Sequence, residues 1–310
     1  MAELDRFLRG ELAAFEPEIR TMADYCIDTS GKRIRPALVF ISGWRGPDKV
    51  SVELVRVAAL VELVHLATLV HDDAVDHSVL RRGMPTVNAM WSHQVAVIMG
   101  DYLYSRSITE ITRLGDIEPI RVIAAAANAM TVGEMRQLVS HDALSFGEDD
   151  YNRLIDSKTA SLMSAACELG ALTGAPRHRE ALARYGTELG RAFQVADDLL
   201  DYTADPSVTG KPSGLDLREH KVTLPLIHAL PRLTRAERAG VDAFFRDPEP
   251  TDDAIHALVE VIAARGGLEY ARARALESAQ RAHDALEGLP EGPVLEALHD
   301  SVVYAVERRR

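Results

Sequence analysis

The sequence predicts an all-α protein, on three observations. Hydrophobic residues make up 47% of the 310 but aromatic residues only 5%, so the core is built from Ala, Leu, Val and Ile, a mixture that favours packed helices over β-sandwiches. Apolar residues recur at helical spacing along most of the chain, and no segment alternates with period two for long enough to read as a strand.

The elements follow in order. The opening stretch, MAELDRFLRGEL, is acidic and mixed, without the basic start or apolar run of a signal peptide. The most apolar stretch, VRVAALVELVHLATLV from Val55 to Val70, is interrupted by Arg56, Glu62 and His65. It reads as a buried core helix, and no membrane span is expected. Gly and Pro cluster at 43–47, 115–119, 174–176, 205–214, 247–250 and 288–293, which is where helices should end. No low-complexity linker or charge block divides the chain, so one domain over 1–310 is the simpler organisation.

Two cysteines, Cys26 and Cys167, cannot make a disulfide framework. They read as buried apolar filler in a chain of the reducing cytoplasm. With 35 Lys+Arg against 47 Asp+Glu the net charge is −12. That argues against a general nucleic-acid binder, and any anionic ligand needs local cations.

One internal echo carries chemistry: HDDAVD at 71–76 is matched by ADDLLD at 196–201, each after apolar helical sequence. Asp72 and Asp76, like Asp197 and Asp201, are four apart and share one helix face, where like charges destabilise a bare helix. Paired hard oxygens suit Mg²⁺, which takes one or two carboxylates, retains waters and completes its shell with substrate phosphates. A solvated acidic face is the alternative for a lone motif, but two copies set among Leu and Val are costly unless neutralised. Glu62/His65 and Glu296/His299 also fit the Glu-x-x-His spacing of di-iron bundles, without a further glutamate pair to complete the set. His71-Asp72 and His141-Asp142 give a short, unspecific match to metal-dependent phosphohydrolases.

The cations cluster as well. Lys32, Arg33 and Arg35 fall in SGKRIRP, Arg81 and Arg82 in LRRGMPT, and Lys211 and Lys221 flank the loop after the second motif. Arginine forks and ammonium groups are what diphosphate oxygens require. Each cluster alone would suit a solvated surface, and Gly83 followed by Pro85 would also end a helix.

Together the stretches GKRIRP, HLATLVHDDAVD, RRG, GDYL, KTA at 158–160, FQVADDLLD and GK…D…K-TLP, from Gly31 to Pro225, resemble the trans-isoprenyl diphosphate synthases, or polyprenyl synthetases. The resemblance implies the isoprenoid synthase fold, with helices around a central cavity, the aspartate motifs on opposite walls near its mouth, and a homodimer. It implies isopentenyl diphosphate and an allylic prenyl diphosphate as substrates, and Mg²⁺, three ions with bound diphosphate. By position, Lys32, Arg35, His65 and Arg82 match the isopentenyl diphosphate site. Arg81, Lys158, Thr159, Gln194, Lys211 and Lys221 match the allylic site. Asp72, Asp76, Asp197 and Asp201 match the metal ligands, with Asp73 and Asp198 in support. Two positions depart from the pattern: Ser30 stands where another glycine is usual, and Glu219-His220 precedes Lys221 where a glycine is common.

Within that family, product length should depend on the helix below Asp72. Thr68 and Ala67 lie one turn deeper, roughly 5.4 Å, where short-chain members usually carry an aromatic. With Val64 and Val61 beyond them that wall is open, which predicts a long-chain product of about C30 to C50, as for a quinone side chain. The alternatives are that Ala67 and Thr68 are ordinary close-packing residues with the floor set by another helix, for instance by Met99, Met135 or Leu138, and a short-chain farnesyl or geranylgeranyl product. Outside the synthases stand a terpene cyclase or head-to-head synthase, which lacks the second-substrate site, and a non-catalytic subunit that binds prenyl diphosphates.

Overall fold

The computed structural model describes residues 1–12, 17–46, 50–139, 143–203 and 214–307. In chain order the helices begin with α1 (Ala2–Leu12), α2 (Pro17–Asp28), α3 (Ile34–Ser42) and α4 (Val52–Val75). A hairpin of β1 (Leu80–Arg81) and β2 (Met84–Pro85) leads to α5 (Val87–Met90), α6 (His93–Thr112), α7 (Ile117–Val139), α8 (Glu148–Ile155), α9 (Ser161–Gly174) and α10 (Arg179–Thr203). The remainder is α11 (Leu215–Arg218), α12 (Leu224–Ala229), α13 (Arg235–Phe244), α14 (Asp252–Ala264), α15 (Gly267–Ala285) and α16 (Pro293–Glu307). Several of the described helices stop at the Gly/Pro clusters, for instance α3 at Ser42 before Gly43 and α15 at Ala285 before Gly288, whereas α4 and α8 end at Val75 and Ile155 without one.

The chain forms two compact units, one of Met1–Asn128 with Leu162–Ala183 and the other of Ala129–Ser161 with Arg184–Arg310. No linker marks the division, which falls within α7, α9 and α10, so composition along the chain carries no trace of it.

In the first unit α4 is the central element. Ser51 caps it, its hydroxyl accepting the Leu54 N–H at 3.1 Å, and burial on all sides gives it no polar face, as expected of a core helix. By length and composition α4 would also cross a membrane, but 72% of its apolar window is buried within the protein. Alongside it runs α6. At Gly100 a Cβ would lie 2.3 Å from His71 Nε2, so only glycine lets the GDYL segment approach the first aspartate motif. The cysteines are free and buried as expected. Beside α4, the fully buried Glu110 is paired by Arg56 at 2.7 Å and Arg106 at 3.2 Å.

In the second unit Tyr151, Val195, Leu199, Leu217, Leu224, Leu226, Phe244, Ile255 and Ile262 share one core.

The hairpin is the one strand pair among the described residues, antiparallel with Leu80 opposite Pro85. Its two-residue turn has Arg82 at φ 53° and Gly83 at φ 76°, the left-handed pair that a type I′ turn needs. Two residues per strand are too few for period-two patterning to be seen in sequence.

Candidate active site

The first aspartate motif closes α4 in the first unit. Asp73 turns inward and is 5% exposed. Arg81, presented by β1, grips it with Nε at 2.8 and 2.9 Å from the two carboxylate oxygens and Nη2 at 2.8 Å. A forked, charge-assisted pair of this kind neutralises a carboxylate that burial would otherwise penalise. Asp72 is half-buried and Asp76 is exposed.

The cationic segments of this unit come together. Gly31 of SGKRIRP leaves room for the Arg82 guanidinium of RRG: a Cβ there would lie 2.4 Å from it, and Arg82 Nη1 donates to the Thr29 carbonyl at 3.3 Å. Lys32 is exposed beside it. Arg35 Nη1 donates to His65 Nε2 at 3.1 Å. Burial pushes the Arg35 guanidinium down to about 10, an effect that Glu62 opposes and Arg82 reinforces, so it is still charged at neutral pH. His65 is held well below its usual range by burial, then by Arg35, Arg82 and Arg81. A neutral His65 accepting at Nε2 carries its proton on Nδ1, a donor suited to an anionic oxygen. Beneath them Glu62 is 1% exposed, and neither of its oxygens has a hydrogen-bond partner among the described residues. Burial raises its pKa, and Arg35, Arg33 and Arg82 counter that rise.

The second motif lies on α10 in the other unit. Asp198 is its inward member, 6% exposed, and accepts from Tyr151 Oη at 2.6 Å and Gln194 Nε2 at 2.7 Å. Gln194 Oε1 in turn accepts from Thr159 Oγ1 at 2.6 Å. Burial pushes Asp198 up to about 6, against those hydrogen bonds and with the repulsion of Asp197 and Asp201. Asp201 accepts the backbone N–H groups of Leu215 and Asp216 at 3.1 and 3.0 Å, and Asp197 is exposed. Asp216, pushed up to about 8 by burial and then by Asp198 and Asp201, completes an acidic cluster. Lys158 pairs with Glu134 and donates to Gln137 Oε1 at 3.2 Å, while Lys221 pairs with Glu219 at 2.6 Å. Lys211 lies outside the described residues, as do His141 and Asp142.

Three participants escaped the reading of the sequence. Tyr151 is a lone tyrosine 47 positions from its aspartate. Glu62 shows in the sequence as an interruption of the apolar stretch and by its spacing from His65, with no sign of its place beneath Arg35. Asp216 stands in the matched GK…D…K stretch, which was the available signal. In the two Glu-x-x-His pairs the histidines have other partners: His65 is engaged by Arg35, and His299 Nδ1 faces His283 Nδ1 at 2.6 Å. The departures are accommodated locally. Ser30 Oγ accepts from Arg33 Nε at 3.0 Å, and His220 takes the left-handed φ of 54° that a glycine would favour, its ring packed on Phe244 and Phe245.

Among the chain-length candidates Val64 and Ala67 are 1% and 2% exposed, whereas Thr68 is half-buried with its hydroxyl donating to the His65 carbonyl at 2.8 Å. Met99 is buried, but Met135 and Leu138 are more than half exposed in the single chain.

The donor set fits divalent magnesium. Each motif offers hard carboxylate oxygens one helical turn apart, and Asp198 and Asp216, raised first by burial and then by neighbouring carboxylates, hold negative charge that a cation would stabilise. Among the described residues no trio of His, Cys, Asp or Glu makes a ready-built cage, as befits an ion that takes part of its shell from substrate oxygens.

The polyprenyl synthetase family model matches residues 16–262. The chain belongs to the polyprenyl synthetase family. It is 39% identical to the octaprenyl diphosphate synthase of Escherichia coli (strain K12), over 100% of this chain and 96% of that protein. It is 33% identical to the geranyl-diphosphate-specific all-trans-nonaprenyl-diphosphate synthase of Rhodobacter capsulatus, over 99% and 94%. Among solved structures, the polyprenyl synthase of Caulobacter crescentus CB15, complexed with calcium and isoprenyl diphosphate, superposes with a TM-score of 0.91 at 34% identity, over 100% of this chain and 95% of that one. This polyprenyl synthetase is therefore a prenyltransferase of isoprenoid biosynthesis with an all-helical prenyl synthase fold, in a family that handles diphosphates with a divalent metal.

Proposed function

We propose that this polyprenyl synthetase condenses isopentenyl diphosphate head-to-tail with an allylic diphosphate of farnesyl or geranylgeranyl type, using Mg²⁺, to make a long all-trans polyprenyl diphosphate for a quinone side chain. The observation that carries the reading is the Arg82 guanidinium seated over Gly31 beside the Arg35–His65 pair. It supplies a cationic site for a second substrate, which a cyclase acting on one allylic diphosphate does not need. Relatives that make octaprenyl and nonaprenyl chains support the product class.

Lys32, Arg35, neutral His65 and Arg82 bind and orient isopentenyl diphosphate. Arg81, Lys158, Thr159, Gln194, Lys211 and Lys221 hold the allylic diphosphate. Bound to Asp72, Asp76, Asp197 and Asp201, magnesium would stabilise the charge that develops on the departing diphosphate. The residues' own part is electrostatic: fixed cations meet that charge. The double bond of isopentenyl diphosphate attacks the cation, a proton leaves to the released diphosphate, and the chain grows by one isoprene unit. No protein nucleophile is needed. The protein is taken to act as a cytoplasmic homodimer.

The test is mass spectrometry of products from the purified protein with Mg²⁺, isopentenyl diphosphate and a series of allylic primers. Long-chain product only when both substrates are present is expected, and Thr68→Phe or Ala67→Phe should shorten it. Product from the allylic substrate alone would make the protein a cyclase. An unchanged length in both variants would remove the α4 wall as the ruler.

A further inference from the structure

The backbone that carries Lys158 and Thr159 is not α-helical. Asp156–Ala160 forms a single π-helical turn between α8 and α9, a geometry that persists where other contacts offset its cost and that recurs at functional sites. Two glycines admit it. A Cβ at Gly133 of α7 would lie 2.6 Å from Ser157 Cβ, and one at Gly190 of α10 would lie 2.6 Å from Ala160 Cα. From α10 two side chains then grip the turn, Gln194 at its fourth residue, Thr159, and Arg191 at its first. Arg191 Nε and Nη2 donate to the two oxygens of Asp156 at 2.5 and 2.8 Å. Its remaining Nη1 donates to Glu188 Oε1 at 2.7 Å, and Glu188 Oε2 accepts from Arg281 Nε at 2.9 Å.

Stability alone does not account for this ladder. Arg191 and Asp156 are 32% and 35% exposed, and pairs in such positions add little. The fork adds direction instead, because a guanidinium meeting a carboxylate edge-on fixes both planes. Arg191 and Arg281 also border a cavity of about 210 Å³ together with Ile155, the residue just before the turn, and Val195. Arg191, Gln194 and Asp198 follow one another along one face of α10, and the grip on the turn is thereby continuous with the second aspartate motif.

We propose that Asp156 and Arg191 are positioning residues whose fork sets the π turn so that Lys158 and Thr159 meet the allylic diphosphate. This rests on the assignment of Lys158 and Thr159 to that substrate. The test compares Asp156→Asn, Arg191→Gln and the double variant with the parent and with Lys158→Ala, as full-length protein with Mg²⁺. KM for the allylic and for the isopentenyl substrate, kcat and the melting temperature are measured. Each single variant should raise the allylic KM about tenfold, leave the isopentenyl KM within about twofold, and melt within a few degrees of the parent. The double variant should lose no more than either single one, because the pair acts as a unit. A lowered melting temperature with an unmoved allylic KM, a rise in both KM values alike, or losses that multiply in the double variant would each overturn the proposal. Should Lys158→Ala raise the allylic KM while the fork variants do not, only the positioning role fails. Should Lys158→Ala leave it unmoved too, the assignment of Lys158 fails and the proposal with it.

Discussion

The two aspartate motifs share a sequence pattern and a burial pattern but not a chemistry of neutralisation. In both, the second aspartate is the buried one, Asp73 at 5% and Asp198 at 6% exposure. Asp73 is met by a full charge, the Arg81 fork. Asp198 is met by neutral donors, Tyr151 and Gln194, and its carboxyl is pushed up to about 6. The first arrangement ties a carboxylate to a cation that is also assigned to substrate. The second ties it to Tyr151 and to Gln194, which reaches Thr159 and the π turn. The same motif thus serves as an ion-pair anchor in one unit and as one end of a hydrogen-bond relay in the other.

The comparison can be broken at its outer carboxylates first. Asp72→Ala and Asp197→Ala should each lower kcat on the order of 10³-fold, as read with both substrates saturating; a large loss in only one would show that the motifs do not share the metal work. Next in size is the anchor itself. Arg81→Gln should cost about 2 kcal/mol in denaturant unfolding, since it strands a buried carboxylate, and should weaken the allylic substrate about 100-fold in kcat/KM. Tyr151→Phe removes one neutral hydrogen bond and should cost about 1 kcal/mol with a smaller kinetic effect. Equal losses in the two variants would erase the distinction between charge and relay.

A third test uses pH. The pKa of Glu62 is raised in the folded chain above its ordinary 4.5, so its contribution to stability is present below 4.5 and is lost as pH rises through the raised value. Glu62→Gln should therefore match the parent near pH 4 and melt progressively higher than it as pH rises; the opposite trend would show that Arg35 holds the carboxylate charged. The smallest effects belong to the departures from the family pattern. Ser30→Gly should change stability by less than about 0.5 kcal/mol. His220→Gly should stay within about 1 kcal/mol, because relief of the left-handed φ offsets the lost packing on Phe244 and Phe245.

Much of this was legible in the sequence for a physical reason. Helical spacing, Gly/Pro punctuation and the i, i+4 aspartates are local patterns, and the GKRIRP and RRG segments carry their meaning in composition. What stayed hidden depends on chain folding over long separations. Nothing near Tyr151 announces that it serves Asp198, and nothing in SKTA announces a π turn, because its cause is the close approach of Gly133 and Gly190. The two-unit division left no mark because it falls inside helices. Ala67 and Thr68 were read alike as wall residues, yet only Thr68 retains appreciable exposure in the folded chain.

The hairpin gives two adjacent arginines separate duties. Because side chains alternate along extended backbone and the turn is only two residues long, Arg81 is delivered to Asp73 while its neighbour Arg82 is delivered to the loop at Thr29 and Gly31. Deleting Gly83 would abolish that two-residue turn, and with it both placements, without altering a single charge. The length of this short ribbon, as much as its composition, decides what each arginine meets.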